Sequence, residues 1–112
     1  MFGFGKGHAR HEIGALTLSK MLADGSALLI DVREPDEFAA EHIKGAINAP
    51  LSNFVPADVS NPAGRTIVLQ CAGGKRSGIA LDRCASARSG INTHLAGGIA
   101  AWIAAGLPVE RA

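Results

Sequence analysis

Two runs, Leu28-Leu29-Ile30 and Ile67-Val68-Leu69, are apolar at every position, and this constrains the fold more than any other feature of the chain. A strand with one wet face alternates apolar and polar residues, whereas an unbroken run suits a strand covered on both faces, as in a parallel sheet between helices. Helical spacing surrounds both runs. Leu18, Met21 and Leu22 predict a short amphipathic helix over Thr17 to Ala23, with Thr17 as its cap and Gly25 beyond its end. Glu34-Pro35-Asp36-Glu37 predicts a second helix start, with Pro in the first turn and carboxylates at the positive end of the dipole. That helix carries Phe38 inward and stops near His42. A short strand is expected over Ala46 to Ala49, then mostly loop from Ser52 to Gly64. Ile79, Ala80, Leu81, Cys84, Ala85 and Ala87 predict a helix from about Arg76, closed by Gly90. Asn92 to Leu95 follows as a strand and Ile99 to Ala105 as a last helix, stopped by Gly106 and Pro108. This alternation predicts an α/β fold: a mainly parallel open sheet of about five strands with helices on both faces.

A chain of 112 residues, 47% of them apolar, is long enough for one core and too short for two. Gly3, Gly5 and Gly7 predict a flexible beginning over residues 1–9, with the folded domain at 10–112. The net charge of +1 creates no global field toward nucleic acid or an anionic membrane, so neither is expected as a partner. Two cysteines are too few for a disulfide framework, and neither lies in a C-x-x-C pair or beside a His at metal-ligand spacing. No metal and no cofactor are therefore expected, and a reducing compartment is. No signal-peptide run opens the chain, and no apolar stretch approaches the ~18 residues of a membrane span. The expected location is cytoplasmic.

Chemistry concentrates in Cys71-Ala72-Gly73-Gly74-Lys75-Arg76-Ser77, between a predicted strand and a predicted helix. Two glycines let the backbone curl so that successive N–H groups converge, and the first N–H groups of the helix lack intrahelical acceptors. The positive end of the macrodipole and the charges of Lys75 and Arg76 favour an anion there. Together these effects lower a cysteine pKa and make the thiolate a nucleophile at neutral pH. Ligands of open α/β sheets bind beyond the carboxyl ends of the strands, which is also where Asp31 and Arg33 are delivered. Arg33 is expected at the substrate edge, and Asp31 is expected to accept loop N–H bonds or to pair with an Arg.

Three ordered segments resemble the rhodanese, or sulfurtransferase, homology domain. They are Leu29-Ile-Asp-Val-Arg-Glu-Pro-Asp-Glu-Phe38 continuing through Glu41 to Pro50, the Cys71 to Ser77 loop, and Leu95-Ala-Gly-Gly-Ile-Ala-Ala-Trp102 with Gly106-Leu-Pro108. The resemblance covers roughly Glu12 to Pro108 and identifies 10–112 as a rhodanese-like domain; Glu41 departs from it, standing where many members have Gly. It implies a sulfurtransferase in which Cys71 takes sulfane sulfur from a small anionic donor, thiosulfate or a persulfide. The resulting Cys71 persulfide passes the sulfur to cyanide, glutathione or a protein thiol. It also implies substrate binding by Ala72, Gly73, Gly74, Lys75, Arg76 and Ser77, with Arg76 orienting an anionic substrate or an acidic neighbour such as Glu34. The loop N–H groups from Ala72 to Ser77 stabilise the charge without a separate base, so no partner histidine is expected. A monomer or weak dimer is the expected state.

Competing readings narrow these expectations. A buried structural thiol is the alternative for Cys71, but a Gly-rich cationic turn favours catalysis. Lys75 and Arg76 can equally be solvated surface charges. Cys84 lies about eight residues into the helix, or ~12 Å of rise, beyond the ~7 Å Cα limit of a disulfide, and core packing is preferred for it. His42 and His94 read as hydrogen-bonded structural histidines, His8 and His11 as exposed, and Trp102 as core. Cysteine phosphatases and arsenate reductases resemble C-x₅-R, while only four residues separate Cys71 from Arg76. The tighter loop suits a sulfur carried on Cys71 better than a tetrahedral phosphate above it. A non-catalytic rhodanese-like module is a further rival, against which the intact loop speaks.

Overall fold

The computed structural model describes residues 10–111; residues 1–9, expected to be flexible, and the expected exposure of His8 lie outside the described residues. Among these residues five strands and four α-helices run in the order β1 (His11–Ile13), α1 (Ala15–Ala23), β2 (Ala27–Asp31), α2 (Pro35–Ala40), β3 (Ile47–Asn48), β4 (Thr66–Gln70), α3 (Lys75–Ser86), β5 (Thr93–Leu95) and α4 (Gly98–Ala104). The strands form one sheet with spatial order β1-β5-β4-β2-β3, every pairing parallel.

The two unbroken apolar runs are the central strands. Along the apolar runs of β2 and β4 alternate residues feed opposite layers, so each of these positions must be apolar for both layers to fill. Leu28, Ile30 and Leu69 pack with Ala80, Leu81 and Cys84 of α3 and with Phe54. Ala27, Leu29 and Val68 pack with Leu18 of α1 and with Ile99 and Trp102 of α4. The Trp102 indole N–H also donates to the Pro108 carbonyl at 2.8 Å, so its core role includes holding the chain that leaves α4.

Several expected boundaries shift. α1 begins two residues before Thr17, with Gly14 at its N-cap, so Thr17 lies inside the helix and caps nothing. α2 has no fully buried residue; Phe38 is half-buried and stacks on His42 with ring centroids 4.0 Å apart. β1 was not expected, because His-Glu-Ile has no apolar pattern of its own. It exists because its backbone completes the edge beside β5. Among the described residues no helix is long and apolar enough to cross a membrane.

Candidate active site

β4 ends at Gln70, and Cys71 is the first residue beyond the sheet. The chain then turns through Gly73 and Gly74 into α3. Gly74 holds φ at +109°, a conformation that a residue with a Cβ rarely adopts, and this swings its N–H back to donate to Cys71 Sγ at 3.0 Å. α3 is twelve residues long and begins at Lys75, so its positive end faces the same sulfur. Ser77, on the first turn of α3, places Oγ 3.5 Å from Sγ. Burial works against ionisation of the Cys71 thiol. Hydrogen bonds from the Ser77 side chain and from the backbone of Ser77, Gly74 and Gly73 outweigh it, holding the thiol below its ordinary range. Cys84 has no such cradle; burial pushes its thiol up, and it sits wholly buried in the core. Both cysteines are free thiols.

The loop is backed by α4. Ile99 N–H donates to the Cys71 carbonyl at 2.9 Å and Ala100 N–H to the Ala72 carbonyl at 3.1 Å. The orphan donors of one helix start thus hold the backbone that aims at the start of another. Gly98, which the sequence marks only as part of a helix opening, allows this approach.

Arg76 is paired with an acidic neighbour, and that neighbour is Glu37. Arg76 Nη1 and Nη2 donate to Glu37 Oε1 and Oε2 at 2.6 and 3.0 Å, a two-pronged pair tying α3 to α2. The expected acidic neighbour, Glu34, accepts instead from the Ser52 hydroxyl at 2.7 Å. The Arg76 guanidinium holds the Glu37 carboxyl at about 2, well below its usual 4.5. A depressed carboxyl stabilises the fold above its unfolded pKa, and that stabilisation is lost as pH falls from about 4.5 through about 2. Both side chains are about one-third exposed, and screening reduces the gain to about 1 kcal/mol at neutral pH. Glu37→Gln is therefore expected to lower stability in urea by about that amount at pH 7. Its deficit against the wild type should close across the same acid window.

Arg33 takes a different task from the substrate-edge role expected of it. Its Nε and Nη2 bond the Asp31 carboxylate at 2.8 to 3.1 Å, and Nη2 also donates to the Glu41 carbonyl at 2.7 Å. Asp31 is fully buried and also accepts the Arg33 N–H, in keeping with the structural role expected of it. A buried pair of this kind leaves an uncompensated charge if either partner is removed, so it acts as a structural pin. Lys75 is exposed at the first turn of α3. His42 is hydrogen-bonded as expected, through Nδ1 to the Phe38 carbonyl at 2.8 Å, and His11 is exposed.

His94 is hydrogen-bonded too, but in a place that sequence reasoning missed. Its Nδ1 lies 2.7 Å from Ser77 Oγ, one atom away from the thiol, and its Nε2 lies 3.0 Å from Glu12 Oε2.

Comparison with known proteins adds an independent line. The profile of the Rhodanese-like domain family matches residues 15–105. An uncharacterized protein of Synechocystis sp. is 43% identical over 99 residues, covering 88% of this chain but 55% of its own length, so the chain spans little more than half of that relative. A protein of Allochromatium vinosum named "Sulfurtransferase" is 37% identical over 101 residues, 88% of this chain and 94% of that one. Among solved structures, the crystal structure of a protein from Anabaena sp. superimposes with a TM-score of 0.78 at 29% identity, covering 89% of this chain and 82% of that one.

Proposed function

The chain belongs to the rhodanese-like domain family, and from that membership we propose that it transfers sulfane sulfur from thiosulfate or a persulfide to a thiophilic acceptor through a Cys71 persulfide. The observation that carries this reading is the convergence of the Gly74 N–H, the start of α3 and Ser77 on Cys71 Sγ. In the first step the Cys71 thiolate attacks the outer sulfur of thiosulfate. An S–S bond forms, the S–S bond of thiosulfate breaks, and sulfite leaves with the electron pair. The terminal sulfur of the persulfide inherits the negative charge and is stabilised by the same N–H groups without reorganisation. Cyanide, glutathione or a protein thiol then attacks that terminal sulfur and regenerates the thiolate.

One further feature supports sulfur over phosphate chemistry. Cys71 is only 1% exposed, so a donor must offer its sulfur end-on, which a small anion or a thin persulfide does. Steady-state turnover with cyanide as acceptor tests the reading. Thiosulfate and glutathione persulfide are expected to support thiocyanate formation, with 3-mercaptopyruvate behind. Hydrolysis of an aryl phosphate without any donor-dependent thiocyanate would overturn it.

A further inference from the structure

Cys71, Ser77, His94 and Glu12 form one continuous line of hydrogen-bonding atoms from the buried thiol to the surface. The sheet register makes it. β1 and β5 pair in parallel with Glu12 opposite His94, and β5 and β4 pair with His94 opposite Leu69, two residues before Cys71. Registered partners in a parallel pair point to the same face, so Glu12, His94 and Leu69 share the face covered by α3. Ser77 meets them there from the first turn of α3. Ser77 is fully buried and His94 is 4% exposed, while the Glu12 side chain is 62% exposed.

Ser77 has one hydroxyl proton and three neighbours: the Gly74 carbonyl at 3.2 Å, His94 Nδ1 at 2.7 Å and Cys71 Sγ at 3.5 Å. The shortest contact is with His94. A carboxylate at Nε2 favours the tautomer with its proton on Nε2, leaving Nδ1 as an acceptor. Ser77 then donates to Nδ1 and can accept the Cys71 S–H. We propose that His94 is a positioning residue for the nucleophile: it takes the Cys71 proton through Ser77 and, once protonated, turns the Ser77 hydroxyl toward the sulfur.

The transfer balances without any co-reactant. The thiol proton passes to Ser77 Oγ as the Ser77 proton passes to Nδ1, converting a neutral thiol and imidazole into a thiolate and an imidazolium paired with Glu12. No electron changes hands. The imidazolium Nδ1–H then donates to Oγ, and the Ser77 O–H donates to the thiolate. Other charges near the line are accounted for: Arg76 is held by Glu37, Lys75 is exposed, and Arg10 is bonded to Asp82 and to the Gly78 carbonyl on α3. α4 carries no titratable side chain.

This inference rests on Cys71 being the nucleophile of the proposed reaction, but it is testable without any sulfur donor. The rate of Cys71 alkylation by iodoacetamide, followed against pH and located by peptide mass mapping, reports the thiolate directly. His94→Asn is expected to move the midpoint up by about one pH unit, a roughly tenfold slower reaction at pH values below it, with the alkaline limiting rate unchanged. Glu12→Gln, a change at the exposed end that leaves the core intact, should shift it in the same direction by less. A Glu12→Gln profile lying on that of the wild type would overturn the relay, and so would an unshifted midpoint in His94→Asn. Because alkylation needs no donor, loss of the relay and loss of sulfurtransferase activity are separately visible.

Discussion

Cys71→Ser is expected to remove persulfide formation entirely and to lower donor-dependent turnover by at least about 10⁴-fold, to the uncatalysed background. The substitution is nearly isosteric, and a serine oxygen can still accept the Gly74 N–H, so the fold should persist. What disappears is the polarisable anion. A hydroxyl in the same cradle stays protonated at neutral pH and attacks sulfur poorly, whereas the thiol is already held below its ordinary range. Mass spectrometry after incubation with thiosulfate reads the result as one added sulfur, about 32 Da, present in the wild type and absent in the variant. Cys84→Ser should keep the addition, because Cys84 is buried among apolar side chains with its thiol pushed up. A sulfur found on Cys84, or a wild type left unmodified by every sulfane donor, would end the assignment.

Gly98→Val is expected to leave no folded protein under conditions where the wild type is stable. Gly98 has φ of +62°, and a Cβ there would lie 2.4 Å from the Cys71 carbonyl oxygen and 2.6 Å from the Ala72 carbonyl carbon and oxygen. These are backbone atoms, already engaged by Ile99 and Ala100, so neither side of the contact can yield alone. A β-branched residue adds its own penalty in this region of φ, and the combined cost exceeds about 4 kcal/mol, a large share of the stability of a small domain. Gly97→Ala makes the useful contrast. Its Cβ would lie 2.8 Å from the Ala101 Cβ and touch no atom of the Cys71 loop, so about 1–2 kcal/mol for its φ of +72° adds to a shift within α4, while the loop backbone stays unobstructed. Circular dichroism during urea unfolding distinguishes the two. A Gly98→Val protein that melts like the wild type and still forms the persulfide would show that α4 does not hold the loop.

The central sheet was legible because its signals are local. Leu28 to Ile30 and Ile67 to Leu69 need no partner to be recognised as strands buried on both faces, and β2 and β4 lie there. β1 escaped because three residues with one apolar side chain carry no periodicity; its place is set by the open edge of β5. α1 was misplaced at its start because Thr17 is a good cap by type, yet the chain turns into the helix at Gly14. The Cys71 loop could be recognised because glycines, cations and thiol lie within seven residues. Arg33 could not be placed correctly, since nothing in Asp31-Val-Arg33 tells whether the guanidinium turns back to the carboxylate or outward. Its buried bonds to Asp31 and to the Glu41 carbonyl resolve that.

The sequence by itself determined the layered α/β plan and the grouping of thiol, glycines and cations in one turn, because apolar periodicity and a compact motif act over a few residues. Only the tertiary structure decided which distant groups serve that turn. Glu37 rather than Glu34 meets Arg76, Gly98 lets α4 press against the loop, and Glu12 and His94 stand behind Ser77. The physical reason is that these contacts depend on strand order and register. A shift of one residue in β1 or β5 would turn the same side chains to the opposite face of the sheet.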